Sequence, residues 1–111
     1  MKRREIGEPA WAASTRAGLA QVLAAVDDAD QMDALLDDLC TPAELEALAD
    51  RWAVVPRLVQ GTPYRQIHDE TGVSVTTIGR VARCLEHGGG GYRAALQRLG
   101  QRGALLEHPQ P

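Results

Sequence analysis

Apolar side chains recur along the chain at helical spacing. Leu19, Val22, Leu23 and Val26 fall at i, i+3, i+4 and i+7, which puts them on one face and predicts an amphipathic helix over residues 15–29. Met32, Leu35, Leu36 and Leu39 repeat the spacing in a second helix. Thr41, Pro42 and Glu44 then spell a helix start. The threonine can accept from the backbone, the proline sits where its missing N–H is not needed, and the glutamate can reach back. From there Leu45, Leu48, Trp52, Val55, Leu58 and Val59 form one stripe that stops at Gly61. Pro56 stands inside it, and its ring meets the carbonyl of Trp52 at a cost of about 3 kcal/mol, so a kink or break is expected near residues 52–56.

The next segment is denser in signals. Pro63 opens a short helix over 63–71 with Ile67 inward, and Gly72 ends it. Ser74 caps a further helix over 75–87 whose inward residues are Ile78, Val81 and Leu85. Two short helices joined by a glycine-containing turn form a helix-turn-helix, here spanning 63–87, in which the second helix enters the major groove of DNA. Ile67, Val73, Ile78 and Val81 would fix the angle between the helices, with Gly72 free to take a positive φ. Val75, Thr76 and Gly79 would then face outward as a narrow surface for base edges. Gly79 lowers helix stability by about 1 kcal/mol relative to alanine, which implies close approach by something at that face. A thymine methyl could meet Val75 or Thr76, while Arg65, Arg80 and Arg83 offer donors to guanine or phosphate and His68 can reach a phosphate. Gly88–Gly91 reads as a flexible joint before a last helix over 92–99 through Ala95, Leu96 and Leu99. Residues 1–14 are expected to form a flexible arm and 104–111 a flexible tail, leaving a helical domain over 15–103.

Composition narrows this further. With 111 residues, no Phe and 44% hydrophobic side chains, one all-α domain with a modest core of Ala, Leu and Val is expected, and a chain this short often completes its core by pairing with a second copy. The net charge of −3 hides an asymmetry: residues 1–60 hold six basic and eleven acidic side chains, residues 61–103 six basic and three acidic. The acids concentrate in VDDADQMDALLDD, which would repel phosphate. They alternate with apolar residues at helical spacing rather than at the loop spacing calcium requires, so no metal site is expected. Within the helix-turn-helix, Asp69, Glu70 and Glu86 offset the arginines. Cys40 and Cys84 form no CxxC pair and read as buried thiols of a reducing compartment. The basic start MKRREIGEPAWAAS is interrupted by Glu5, Glu8 and Arg16 before any apolar signal core forms, and no apolar run reaches membrane-spanning length. A cytoplasmic protein without a membrane partner is expected.

Taken in order, DDLCTPAELEALADRW and GTPYRQIHDETGVSVTTIGRVARCLEHGGGGYRAALQRL resemble the Trp-repressor superfamily, on its YerC/YecD-type branch. The motifs DLCT, LA-x-R, TG-x-S, TI-x-RV-x-RCL and GY-x-x-AL occur together across residues 32–99, whereas residues 1–30 match only loosely. The resemblance implies an all-α, six-helix Trp-repressor-like fold with a helix-turn-helix, as an intertwined homodimer. It also implies a pocket where L-tryptophan lies between two arginines near a threonine, positions that fall here on Arg51, Arg80 and Thr41. Val81 stands where the repressor has glycine and Cys84 where it has serine, and both narrow that pocket. Arg65 resembles the guanine-reading arginine, whereas His68 and Gly79 replace a lysine and a threonine, so a different operator is expected.

These readings converge on a homodimeric, sequence-specific regulator of transcription that binds double-stranded DNA through Arg65, His68, Ser74, Val75, Thr76, Gly79, Arg80 and Arg83. It would need no cofactor, with an aromatic effector such as L-tryptophan as the candidate small-molecule ligand at Thr41, Arg51, Arg80 and Cys84. A second reading keeps the fold but makes the chain a ligand-binding or protein-interaction module that no longer reads DNA, in keeping with its net acidity. Catalysis is not expected: His68, His87 and His108 are dispersed, and no Ser or Cys has a base beside it.

Overall fold

The structure, a computed structural model, describes the backbone of residues 8–106 and the side chains of residues 10–101. Residues 1–7 of the expected arm and 107–111 of the expected tail lie outside the described residues. Six helices and no strand are found among the described residues: α1 (Glu8–Ala25), α2 (Ala29–Leu39), α3 (Pro42–Val59), α4 (Tyr64–Thr71), α5 (Val75–His87) and α6 (Gly91–Leu106). α1 thus starts seven residues before the apolar pattern does and stops four residues earlier than expected. α6 outruns its expected bounds of 92–99 at both ends. In both helices the apolar repeat marks only part of the helix. No helix of the described residues is long and apolar enough to cross a membrane.

The helix ends follow the side-chain chemistry. Asp28 accepts the Gln31 N–H at 2.9 Å and starts α2. Thr41 and Glu44 form the reciprocal capping pair, Glu44 N–H to Thr41 Oγ1 at 3.1 Å and Thr41 N–H to Glu44 Oε1 at 2.9 Å. α3 ends in a Schellman turn: Gly61 has φ 83°, its N–H donates to the Leu58 carbonyl, and the Thr62 N–H donates to the Arg57 carbonyl.

α3 continues through Pro56, so of the kink or break expected there the break does not occur. Val54 and Val55 beside the proline are both fully buried. At about 1.5–3 kcal/mol each, their burial offsets the local penalty of the ring. The Arg57 guanidinium also donates from Nη1 to the Ala53 carbonyl at 2.7 Å, giving the strained turn a further donor.

The chain divides into two compact units, Met1–Leu45 and Glu46–Pro111. In the second, Val54, Val55, Ile67, Val73, Ile78 and Val81 make a closed aliphatic cluster, with Trp52, Leu58, Leu85, Tyr92 and Leu96 packed around it. Trp52 and Tyr92 meet at 6.3 Å between ring centroids. Val54 belongs to this core although the stripe read from the sequence omitted it, whereas Leu48 and Val59 of that stripe are exposed. In the first unit no described side chain is buried: Leu19, Val22 and Leu39 are exposed, and Leu23, Val26, Met32, Leu35 and Leu36 are half-covered. The cysteines correct the expectation of buried thiols, because Cys84 is exposed and Cys40 only half-buried.

Between α5 and α6 the glycines form a defined turn. Gly88 donates to the Cys84 carbonyl at 2.8 Å, and a Cβ there would lie 2.5 Å from that oxygen. Gly90 takes φ 87° and its carbonyl accepts the Ala94 N–H. Gly100 in α6 has open space where a Cβ would go, whereas Gly72 holds φ 76°. Gly100→Ala should therefore stabilise the fold by up to about 1 kcal/mol and Gly72→Ala destabilise it by about 1–2 kcal/mol. Urea unfolding at one fixed protein concentration checks both signs.

Candidate nucleic-acid interface

α4 and α5 are joined by three residues, Gly72, Val73 and Ser74, and each has a separate task. Gly72 takes the left-handed conformation that ends α4, and its N–H donates to the His68 carbonyl at 2.8 Å. Val73 drops into the core at 5% exposure. Ser74 caps α5 by accepting the Thr77 N–H at 3.1 Å, as its position predicted. Two contacts not foreseen in the sequence tighten the turn. The Thr71 hydroxyl donates to the Ile67 carbonyl at 2.7 Å and accepts the Val73 N–H at 3.1 Å. His68 Nδ1 lies 2.8 Å from the Val73 carbonyl. The signal for both was their place in the last turn before a glycine stop, where polar side chains meet carbonyls left without a helical partner.

Ile67, Val73, Ile78 and Val81 are buried as the periodicity predicted, so the opposite faces of α4 and α5 are turned outward together. Val75 is 52% exposed, and Thr76, Ser74, Arg65, His68, Arg80 and Arg83 are exposed as well. Gly79 is half-covered: a Cβ there would lie 4.0 Å from Tyr64 Cε2, an ordinary contact. Nothing in the chain itself therefore requires glycine at 79. Tyr64, absent from the sequence-derived site, walls two grooves. One, of about 390 Å³, is lined by Tyr64, Gly79, Ala82, Arg83, Glu86 and His87. The other, of about 490 Å³, is lined by Tyr64, Arg65, His68, Asp69 and Val75. An aromatic at the start of one short helix, facing a glycine in the next, was the available signal.

The charges sort into two sets. Arg65, Arg80 and Arg83 have no hydrogen bond or ion pair among the described residues. Glu70, by contrast, does not offset them: Arg57 Nε donates to its Oε1 at 3.0 Å and Gln66 Nε2 to its Oε2 at 2.8 Å. The Gln66 hydrogen bond and then Arg57 hold the Glu70 carboxyl below the ordinary carboxylate value. A depressed carboxylate stabilises the fold near neutrality and loses that contribution as acidification protonates it, modestly here because the pair is exposed to solvent. Asp69 and Glu86 remain in the grooves beside Arg65 and Arg83.

The residues of the expected ligand pocket fall in both compact units. Thr41 belongs to the first compact unit, and Arg51, Arg80 and Cys84 to the second. Cys84 lines a cavity of about 320 Å³ whose other walls are Gly88, Gly89, Gly90, Gly91 and Tyr92. Among the described residues no cluster of three or more His, Cys, Asp or Glu could hold a metal ion.

Paired short helices, a left-handed glycine between them and a capped second helix define a helix-turn-helix protein of all-α class. The chain belongs to the Trp repressor family, on its YerC-type branch: the family model for Trp repressor protein matches residues 16–100, extending the match through most of α1. The YerC protein of Bacillus subtilis (strain 168) is 43% identical over 72 residues, covering 65% of this chain and 69% of that protein. The crystal structure of a TrpR-like protein from Eubacterium eligens matches with TM-score 0.73 at 33% identity, covering 78% of this chain and 90% of that one. A second crystal structure, from Staphylococcus aureus, matches with TM-score 0.73 at 31% identity, covering 78% and 87%.

The room beside Tyr64 leads to a clear expectation for Gly79→Ala. It should raise the melting temperature, because about 1 kcal/mol of helix propensity is gained and no atom must move. Calorimetry at fixed protein concentration reads this directly.

Proposed function

We propose that the protein is a sequence-specific DNA-binding regulator of transcription that acts as a homodimer through α4 and α5. One observation carries the reading. The outer face of this helix pair presents Arg65, Arg80 and Arg83, which have no hydrogen-bond or ion-pair partner among the described residues, beside small or apolar Val75, Thr76 and Gly79, while the inner face is locked by fully buried Ile67, Ile78 and Val81. A solvated surface needs cations but not narrowness; a helix entering the major groove needs both. Arg65 is the candidate for guanine and Arg83 for phosphate. Family membership supports the same reading and gives no reason to assign catalysis.

The homodimer is supported by what the first unit lacks. α1, α2 and the link between them present Leu19, Val22, Leu23, Val26, Leu35, Leu36 and Leu39 with none of them buried. Apolar surface of this extent is covered in solution, and a second copy of the chain offers the same face for it. A twofold axis would set two copies of α5 about 34 Å apart, one turn of DNA, on a near-palindromic site.

Sedimentation should give twice the 12.0 kDa chain mass, and Leu36→Glu should shift the protein toward monomer or unfold it. Gel shifts on selected fragments test the reading itself. Arg65→Ala should remove sequence preference, about 1–3 kcal/mol, whereas Arg83→Ala should weaken all sequences alike and lower the salt slope by about one. If the dimer forms but no fragment is preferred at low salt, the fold serves ligand or protein binding instead, and titration with L-tryptophan or indoles against Trp52 fluorescence becomes the informative measurement.

A further inference from the structure

The geometry points to His68 as a specificity-determining residue that accepts a hydrogen bond from the exocyclic amine of an adenine; this rests on the DNA-binding reading above. His68 Nδ1 lies 2.8 Å from the Val73 carbonyl oxygen, and a carbonyl can only accept. The hydrogen is therefore on Nδ1, and the neutral ring carries its lone pair on Nε2. No partner for Nε2 occurs among the described residues, and the His68 side chain is exposed. The fold thus fixes the tautomer through the same bond that latches the turn between α4 and α5, and it offers outward an acceptor rather than a donor.

That polarity selects among nucleic-acid groups. Phosphate oxygens are acceptors and have nothing to give a neutral Nε2. In the major groove guanine offers acceptors and thymine an acceptor and a methyl, while adenine and cytosine offer amines. His68 shares its groove with Val75, which is 52% exposed, and with Tyr64, Arg65 and Asp69. An A·T pair places an amine and a thymine methyl on one edge, so it satisfies the imidazole and the valine together; a C·G pair satisfies only the imidazole. Arg65, with donors only, takes an acceptor-rich neighbour such as guanine. Asp69 is a second acceptor in the groove, so the test leaves it unchanged.

The experiment is selection of bound sequences from random DNA at about pH 8, with the full chain carrying His68, His68→Gln or His68→Lys. The wild type should prefer adenine at one position of each half-site. His68→Gln should keep that preference, because its amide can donate to the Val73 carbonyl and turn its oxygen outward. His68→Lys has donors only and should move the preference at that position to guanine or thymine, leaving the other positions alone. Replacing the preferred adenine with purine, which lacks the amine, should lower wild-type affinity about three- to tenfold; this measurement stands even if the lysine variant does not fold. A wild type that selects no sequence overturns the DNA-binding reading itself. A wild type that selects a site, yet is indifferent to purine, while His68→Lys keeps the same base preference and binds all sequences as well or better, overturns this inference alone and makes His68 a phosphate contact.

Discussion

The burial of six aliphatic side chains, Val54, Val55, Ile67, Val73, Ile78 and Val81, is the constraint on which the outer surface depends. Four of them belong to the helix-turn-helix and two to α3, so one cluster fixes both the angle between α4 and α5 and their seat on the longer helix. Five are β-branched at valine or isoleucine positions within helices, where a single preferred rotamer leaves little slack at the packing surface. With no phenylalanine to fill space, the cluster is small and closely set, and deleting even one methylene group from it would disturb the presentation of the opposite face. The exposed residues Val75, Thr76 and Arg80 need no support of their own because the positions between them on α5 supply it.

Much of this was legible in the sequence, and the reasons are local. The capping pair Thr41–Glu44, the cap at Ser74 and the positive φ at Gly61 and Gly72 follow from chemistry confined to a few neighbouring residues. Ile67, Val73, Ile78 and Val81 follow from helical spacing plus the known length of the turn. What failed was set by tertiary context. Pro56 was expected to kink or break α3, and the break does not occur: the penalty of its ring is local while the burial of Val54 and Val55 depends on α4 and α5 arriving from elsewhere in the chain. Cys84 was expected inside, yet the glycine turn after α5 leaves it open, and no periodicity argument reports on how a following turn folds back.

The candidate site divides the same way. Which cations and small residues lie outward could be read from the period, but Tyr64 as shared wall of two grooves, the Thr71 bridge and the His68 latch could not, since each depends on the angle at which two helices meet. Gly79 is instructive. Its presence in a helix suggested that bulk is excluded there, and the structure shows that the chain itself excludes none. On the proposed DNA-binding reading, any limit on bulk there would come from the bound molecule rather than from internal packing.

Electrostatics then distinguishes recognition from mere attraction. Removing Glu70 from the outer face, by holding it against Arg57 and Gln66, leaves Arg65, Arg80 and Arg83 opposed there by Asp69 and Glu86. On the proposed DNA-binding reading, a small net positive charge on a protein of overall charge −3 would give weak sequence-independent affinity, because that affinity comes from counterions released per phosphate contacted. Discrimination must then come from hydrogen-bond polarity and apolar fit in the grooves, and a surface that holds donors, acceptors and a valine side by side is suited to that. A more basic face would bind DNA more tightly everywhere and distinguish sites less, since the useful quantity for a regulator is the ratio of specific to non-specific binding. On the proposed DNA-binding reading, the acidic residues of the helix-turn-helix would belong with the reading surface, as the counterweight that lets a few directional contacts decide where the protein sits.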